Sequence, residues 1–179
     1  MNRLVIVGGA PATGKTTLAH ELGGTLGLPV ITKDDIKEAL AAPFETGDRG
    51  WSRHLGVAAY SALFAVAMRV LAAGHGLVLE SNFRRGISDA SLRSLAALAP
   101  TVVIVCRTTD ARRRFEERAA RGRHRVHIDA AVLDEWAGDD SEFQVDIGTP
   151  RLVVDTTDGY VPDLERIVGF ARDANVLER

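Results

Sequence analysis

The chain has 179 residues, of which 46% are hydrophobic and 26% charged, and its formal net charge at pH 7 is -2. This length and composition fit one globular domain and exclude a disordered chain. The slight acidity argues against a protein whose whole surface binds nucleic acid. Cys106 is the only cysteine, so no intramolecular disulfide can form. Together with the lack of a visible secretory signal, this predicts a cytoplasmic protein.

Short apolar runs alternate with helical patterns along the chain. The runs predict strands over Leu4–Val7, Pro29–Thr32, Gly76–Glu80, Thr101–Cys106 and Leu152–Val154. The helical spacings predict helices over Thr16–Leu26, Asp34–Leu40, Trp51–Ala73, Ser88–Ala99, Asp110–Ala120, Asp129–Trp136 and Leu164–Ala171. Loops are expected over Ala41–Gly50, Arg121–Ile128 and Gly138–Gly148, the last of them at the surface. The alternation predicts an α/β fold whose parallel sheet has right-handed crossovers.

One apolar run, Leu55–Ala73, is nearly as long as a membrane span, which needs about 20 residues. It contains Arg69 and Ser61 and is rich in alanine. These features favour a buried core helix, and we expect no membrane association.

A phosphate-binding motif follows the first predicted strand. Gly9 to Thr16 fit G-x-x-x-x-G-K-[ST] between a strand and a helix, which is the context that the motif requires. The Lys15 ammonium is expected to contact the β- and γ-phosphates, and the Thr16 hydroxyl to bind Mg²⁺. The predicted nucleotide contacts in this loop are Gly9, Ala10, Pro11, Ala12, Thr13, Gly14, Lys15, Thr16 and Thr17.

Two carboxylates follow the second predicted strand, where open α/β sheets bind their ligands. Asp34 is predicted to bind the acceptor and to accept the proton of its hydroxyl, whereas Asp35 is predicted to cap the next helix. A purely capping role for Asp34 is the alternative. Lys37 is expected either to bind an anionic acceptor or to lie in solvent.

The third predicted strand ends in an acid, Glu80, as a Walker B strand does. Glu80 is predicted to hold Mg²⁺, or to contact the acceptor. Asn82 and Arg84 follow it and are predicted to line the acceptor pocket, with an ordinary strand-ending loop as the alternative. Acceptor specificity is expected to lie around Ala41–Tyr60 and Asn82–Arg85.

Positive charge is concentrated between Arg107 and Arg125, where eight arginines and three acidic residues give a local charge of +5. A lid around residues 118–128 is predicted to close over the nucleotide. Arg118 and Arg121 are its predicted catalytic residues, and Arg118 and Arg123 its predicted nucleotide contacts. Arg112–Arg114 are expected to form a solvated helix face, partly paired with Glu116 and Glu117.

The two histidines of this segment, His124 and His127, lie close to Asp129. Their spacing matches no standard zinc site and no cysteine assists them. Loop polarity or a phosphate contact is therefore the preferred interpretation.

These motifs resemble those of the AAA_33-type P-loop kinases, a group similar to chloramphenicol phosphotransferase, zeta toxin, gluconate kinase and the polynucleotide kinase domain. The resemblance rests on Gly9–Thr17, Lys33-Asp34-Asp35 with Lys37, the strand ending at Glu80, and Arg118–Arg125. It implies a three-layer, nucleoside-monophosphate-kinase-like P-loop fold over residues 1–179, with strand order 2-3-1-4-5. It also implies ATP and Mg²⁺ as cofactors, a base at Asp34, lid arginines at Arg118 and near Arg121, and adenine beside Thr156, Thr157 and Asp158.

The sequence departs from this family at two motifs and in the lid. Ala12-Thr13 replaces the usual Gly-Ser, Glu80 stands where aspartate is frequent, and the spacing between Arg118 and Arg121 differs by one residue from that of polynucleotide kinase. Neither motif change removes the phosphate cradle.

The expected function is transfer of the γ-phosphoryl group of Mg·ATP to a hydroxyl of a small molecule, such as an antibiotic, a sugar or a nucleoside. The alternatives are a 5′-hydroxyl polynucleotide kinase, which the acidic net charge disfavours, and a nucleotide-gated regulatory or toxin-like ATP-binding module.

Overall fold

The computed structural model describes residues 2–45, 47–122, 124–127 and 140–173. Within them the strands are β1 (Leu4–Gly9), β2 (Val30–Thr32), β3 (Leu77–Glu80), β4 (Thr101–Arg107) and β5 (Arg151–Asp155). The helices are α1 (Lys15–Leu26), α2 (Lys33–Ala41), α3 (Arg49–Ala72), α4 (Asp89–Ala96), α5 (Ala111–Arg121) and α6 (Leu164–Arg172). The predicted alternation is confirmed, with boundaries shifted by up to a few residues. The predicted helix Asp129–Trp136 lies outside the described residues.

The strands form one sheet in the order β2-β3-β1-β4-β5. Every neighbouring pair is parallel, which confirms the P-loop fold that the resemblance implied. β1 lies at the centre and is buried along its whole length. This burial explains its uninterrupted apolar sequence, because helices cover both faces of a parallel sheet.

Each face of the sheet carries its own hydrophobic core, which gives the fold three layers. On one face, alternate strand residues such as Leu4 and Ile6 pack with Leu63 of α3 and Leu92 of α4. On the other face, the residues between them pack with Leu18 and Leu22 of α1 and Ile167 of α6. Successive side chains of a strand point to opposite faces, so each apolar strand contributes to both cores.

The expectation of a surface loop over Gly138–Gly148 is wrong for its described part, residues 140–148. A 3-10 turn at Ser141–Phe143 starts this part, and Phe143, Val145 and Ile147 are all buried. Val145 and Ile147 join the core beneath α3 and α4, whereas Phe143 packs against Phe115. The buried residues alternate with exposed or half-buried ones, so one side of this segment faces the protein interior.

The long apolar segment forms α3, which is buried on one side only. Ala59, Leu63, Ala67 and Leu71 face the core, while the opposite side exposes apolar residues such as Val57 and Val66. By length and composition α3 could cross a membrane, but long core helices meet the same criteria. The expectation of a buried core helix is therefore confirmed for one face only.

Strand register brings the functional motifs together at the carboxyl edge of the sheet. Glu80, the last residue of β3, lies beside Val7 of β1 and Thr32 of β2. The phosphate-binding motif begins at Gly9, two residues after Val7, and Asp34 follows two residues after Thr32. Three segments that are far apart in sequence therefore meet at the ends of three adjacent strands, where ligands of open α/β sheets bind.

Candidate nucleotide and acceptor site

The loop between β1 and α1 has the backbone of a phosphate cradle. Gly9 has a φ of 139°, and a Cβ there would lie 2.3 Å from the Cys106 carbonyl oxygen. Gly14 begins α1 in the left-handed region with φ 75°. Both positions therefore require glycine, one for close approach and one for its dihedral angle.

The departure at Ala12-Thr13 is accommodated within this cradle. Ala12 adopts a φ of 61°, a left-handed conformation that costs a residue with a Cβ about 1–2 kcal/mol. The Thr13 hydroxyl donates to the Ala10 carbonyl over 2.9 Å, a hydrogen bond that serine could make equally well. Of the two replacements, only Ala12 therefore carries a conformational cost.

Lys15 is the cation of the loop, and it is only 6% exposed. Its ammonium donates to the Ala10 carbonyl over 3.2 Å and lies 3.9 Å from Glu80 Oε1. Burial lowers the pKa of Lys15, and the Glu80 carboxylate acts in the opposite direction. A buried cation at the start of a helix is suited to a polyanionic ligand such as a phosphate.

Glu80 lies beside the loop, where the strand-three acid was predicted. The Thr16 hydroxyl donates to Glu80 Oε2 over 3.3 Å. Burial raises the pKa of Glu80, while nearby Lys15 lowers it and Asp34 raises it further. A hydroxyl and a carboxylate side by side are the hard oxygen donors that Mg²⁺ takes together with phosphate oxygens and water.

Two cavities meet at these residues. The first, here called the loop cavity, has a volume of about 350 Å³ and is lined by Ala12, Gly14, Lys15, Thr16, Thr17, Arg114 and Arg118. The second, here called the α3 cavity, has a volume of about 470 Å³ and also includes Lys15, Thr16 and Arg118. A phosphate group held by those three residues would therefore be accessible from both sides.

Asp34 lines the α3 cavity, and its side chain is 40% exposed. The Lys33 ammonium lies 3.4 Å from Asp34 Oδ1. The expectation that Asp35 caps the helix is wrong, because the Thr32 hydroxyl is the cap and accepts from the Asp35 backbone N–H over 3.0 Å. Since Thr32 caps the helix, Asp34 is not needed as a cap.

Lys37 does not lie in solvent, since it is 7% exposed. Its ammonium donates to the Ser52 hydroxyl over 2.8 Å and to the Val126 carbonyl over 3.3 Å. Ser52 also donates to that carbonyl, over 2.7 Å. Lys37 thus joins α2 to α3 and fixes residues 124–127 of the predicted lid against both helices.

Neither lid histidine belongs to a metal cluster among the described residues; Asp129 lies outside them. His127 Nε2 is 2.8 Å from Glu38 Oε1 of α2. His124 Nδ1 accepts from the Val126 backbone N–H over 3.3 Å. These contacts fit the polar loop that the sequence favoured.

The two remaining predicted acceptor residues, Asn82 and Arg84, both line the α3 cavity. The Asn82 carbonyl accepts from the Tyr60 hydroxyl over 2.7 Å, so this backbone is held by α3. Two guanidinium nitrogens of Arg84 contact one oxygen of Glu142, at 2.9 and 2.6 Å. Arg84 therefore borders the cavity while it anchors the segment after the lid.

The predicted lid arginines occupy different places. Arg118 lines both cavities, and its guanidinium lies 4.5 Å from the centre of the Phe115 ring. Arg121 is exposed at the end of α5 and is absent from the described lining of both cavities. Arg123 lies outside the described residues.

Arg114 is a site residue that sequence reasoning missed. Arg112 and Arg113 pair with Glu116 and Glu117 as expected, at 3.0 and 2.8 Å. Arg114 instead lines the loop cavity and donates to the carbonyls of Thr156 and Thr157, over 2.8 and 2.7 Å. Helical spacing alone could have separated it, since it faces away from the two surface pairs.

The segment after β5 packs against the phosphate-binding loop. The Thr156 hydroxyl donates to the Thr13 carbonyl over 2.9 Å, and a Cβ on Gly14 would lie 3.6 Å from that hydroxyl. Thr156 and Thr157 thus border the phosphate-binding loop, on the side where the resemblance implies adenine.

Comparisons with known proteins agree with this geometry. The AAA_33 family model, described as an AAA domain, matches residues 4–139. An uncharacterized protein of Mycobacterium tuberculosis is 30% identical in an alignment of 161 positions that covers 83% of this chain. The chain spans about a third of the length of the curated relatives that it matches, since the match covers 32% of each of them.

Solved structures extend the comparison to nearly the whole chain. A candidate kinase from Chloroflexus aurantiacus is 33% identical, with a TM-score of 0.80 over 96% of this chain and 97% of that one. Kti12 from Chaetomium thermophilum, solved with ADP-AlF3, is 19% identical, with a TM-score of 0.69 over 96% and 98%. The chain therefore has a kinase-like P-loop fold.

Proposed function

Because the chain belongs to the AAA_33 family, we propose that it is an ATP- and Mg²⁺-dependent kinase that phosphorylates a hydroxyl of a small molecule. The observation that carries this proposal is the junction of the two cavities. Lys15, Thr16 and Arg118 line both, so a γ-phosphate placed there faces an acceptor in the α3 cavity. In-line transfer requires the donor and the acceptor to lie on opposite sides of the transferred group.

The loop cavity would hold ATP. The backbone of the phosphate loop binds its phosphates, Lys15 neutralises the β- and γ-phosphates, and Arg114 with Thr156 borders the nucleoside end. The Kti12 structure contains ADP-AlF3, which supports an adenine nucleotide in this fold.

Thr16 and Glu80 would hold Mg²⁺, because their oxygens are adjacent at the phosphate end of the cavity. An ion held there would supply neutralisation of the phosphate charge during transfer. Burial raises the pKa of Glu80 and Lys15 lowers it; a bound cation beside the carboxylate would favour its charged form further.

Asp34 would receive the acceptor's proton. As the hydroxyl oxygen forms its bond to the γ-phosphorus, the bond to the β,γ-bridging oxygen breaks and ADP leaves with that oxygen. The Asp34 carboxylate accepts the hydroxyl proton, and Arg118 stabilises charge on the transferred group. The Lys33 ammonium, 3.4 Å from Asp34 Oδ1, would hold this carboxylate in place beside the acceptor.

The test is transfer of labelled γ-phosphate from Mg·ATP to a panel of aminoglycosides, chloramphenicol-like alcohols, sugars, nucleosides and 5′-hydroxyl oligonucleotides. We expect one small-molecule class to be labelled. Labelling of oligonucleotides alone would replace this proposal with polynucleotide kinase activity. Tight ATP binding without transfer to any acceptor would indicate a regulatory module instead.

A further inference from the structure

The α3 cavity is rich in basic residues. Apart from Lys15 and Arg118, which also line the loop cavity, it is lined by His127 and by five lysine and arginine residues: Lys33, Lys37, Arg49, Arg53 and Arg84. Among its described lining residues the only acid is Asp34. A cavity of this charge favours a ligand that is itself negatively charged.

Several of these positive charges already have partners in the described residues. Lys33 lies beside Asp34, Lys37 is hydrogen-bonded to Ser52, and Arg84 pairs with Glu142. Arg53 differs from them, because its guanidinium makes no hydrogen bond or ion pair to any part of the chain that the structure describes. Its side chain lines the cavity and is exposed to it.

One face of α3 forms the wall that carries Arg53. Arg49, Arg53, Gly56 and Tyr60 recur at intervals of three or four residues and all line the cavity, as a single helical face requires. A rise of about 1.5 Å per residue places Arg53 about 10 Å along the helix from Tyr60. The Tyr60 hydroxyl donates to the Asn82 carbonyl and accepts from the Ser81 hydroxyl over 2.9 Å. Because Ser81 directly follows Glu80, Tyr60 marks the part of this helix face that lies next to Glu80.

Gly56 makes room on this wall between the two ends. A Cβ at this position would meet no atom within 4 Å, so packing inside the protein does not explain the absence of a side chain. Glycine inside a helix costs about 1 kcal/mol relative to alanine. Open space at a helical glycine that lines a cavity is consistent with room for a ligand.

We infer that the acceptor is a hydroxylated organic anion, with its carboxylate or phosphate bound by Arg53 and its reacting hydroxyl beside Asp34. This assignment rests on the proposed function and names its substrate class. The anionic group and the hydroxyl lie at opposite ends of the acceptor, which keeps the negative charge away from Asp34. Arginine suits this role because its planar guanidinium binds both carboxylates and phosphates in two-point contacts.

Calorimetric titration of the full chain saturated with Mg²⁺ and AMPPNP tests this inference, because the nucleotide occupies the phosphate loop. The probes are matched pairs: gluconate with glucitol, galacturonate with galactose, and glycerol 3-phosphate with glycerol. The first two anions are carboxylates and the third is a phosphate ester, so the pairs also distinguish the two anionic groups.

At least one anion should bind about tenfold or more tightly than its neutral partner, the effect of one charged hydrogen-bonded contact. Arg53→Gln should remove most of that difference. Arg69→Gln, on the exposed side of the same helix and outside the described lining of the cavity, should change the affinity by less than about twofold.

Equal binding of neutral partners, no binding of any anion, or equal effects of Arg53→Gln and Arg69→Gln would each overturn the inference. These results differ from failure of the proposed function itself. Transfer of phosphate to a neutral alcohol would leave the kinase proposal standing, whereas absence of transfer to every acceptor would contradict it.

Discussion

The Thr16 hydroxyl donates a hydrogen bond to the Glu80 carboxylate over 3.3 Å, although 64 residues separate them. This contact joins the first turn of α1 to the end of β3. It arises because β1 and β3 are neighbours, with Val7 in register with Glu80. The phosphate-binding loop and the acid proposed to bind Mg²⁺ are thus placed together by the strand order.

Glu80→Gln should selectively weaken the Mg²⁺-dependent part of ATP binding. Loss of a carboxylate beside a metal typically lowers affinity about 10–100-fold, whereas binding of Mg²⁺-free ADP should change little. Glutamine can still accept from the Thr16 hydroxyl, but it removes the carboxylate 3.9 Å from the buried Lys15 ammonium, so some loss of stability is expected as well. Nucleotide titrations with Mg²⁺ and with EDTA measure the two affinities. Glu142→Gln is the control, and a uniform loss with and without Mg²⁺ would contradict the assignment.

Arg114→Gln should weaken nucleotide binding and lower stability, because Arg114 ties α5 to the carbonyls of Thr156 and Thr157. Two hydrogen bonds from a charged donor suggest a loss of about 1–3 kcal/mol. Arg113→Gln removes a neighbouring, exposed arginine of the same helix that pairs with Asp110 and Glu117, so it should lower stability clearly less than Arg114→Gln. Urea unfolding of both variants measures the difference, and equal losses would contradict this role.

Lys37→Met should release residues 124–127 from α2 and α3. The Lys37 ammonium is buried and donates to Ser52 and to the Val126 carbonyl, so its loss should cost about 1–3 kcal/mol. Protease cleavage in the segment after α5 should also become faster. Lys33→Met, at a lysine whose side chain is 20% exposed, is the control. Unchanged cleavage in Lys37→Met would show that the lid is held by other contacts.

Gly56→Leu should fill part of the α3 cavity without unfolding the protein. Leucine is a better helix former than glycine, so the melting temperature should stay the same or rise. Binding of Mg·ATP should be retained, while acceptor KM rises or transfer is lost. Gly24→Leu is a matched control, because Gly24 lies in α1 with no atom within 4 Å of a built Cβ and is not among the described residues lining either cavity. Full activity in Gly56→Leu would place the acceptor elsewhere.

Much of the fold and the phosphate loop could be predicted from the sequence because their signals are local. The buried strands read as apolar runs, and Gly9, Gly14 and Lys15 form a motif whose spacing follows directly from phosphate geometry. Asp34 and Glu80 could be located because each ends or follows a strand, and parallel strands bring their carboxyl ends to one edge.

Other features depended on long-range packing and could not be read from local pattern. Helical spacing separates Arg114 from its surface neighbours, but it does not reveal its partners, which are the carbonyls of Thr156 and Thr157 after β5. Val145 and Ile147 lie in an acidic segment, yet both are buried in the core below α3 and α4. The role of Lys37 was likewise hidden, because Ser52 and Val126 approach it from distant parts of the chain.

The central claim is that Asp34 acts in transfer and not in nucleotide binding, and one comparison tests it most directly. The acceptor is the compound that receives labelled phosphate in the panel experiment. The rate of phosphoryl transfer to it is measured for wild type and Asp34→Asn at saturating Mg·ATP, and the nucleotide affinity of both is determined in parallel. Loss of general-base catalysis should slow transfer about 100-fold or more, with ATP affinity unchanged within about twofold. Transfer at the wild-type rate in Asp34→Asn would contradict the account.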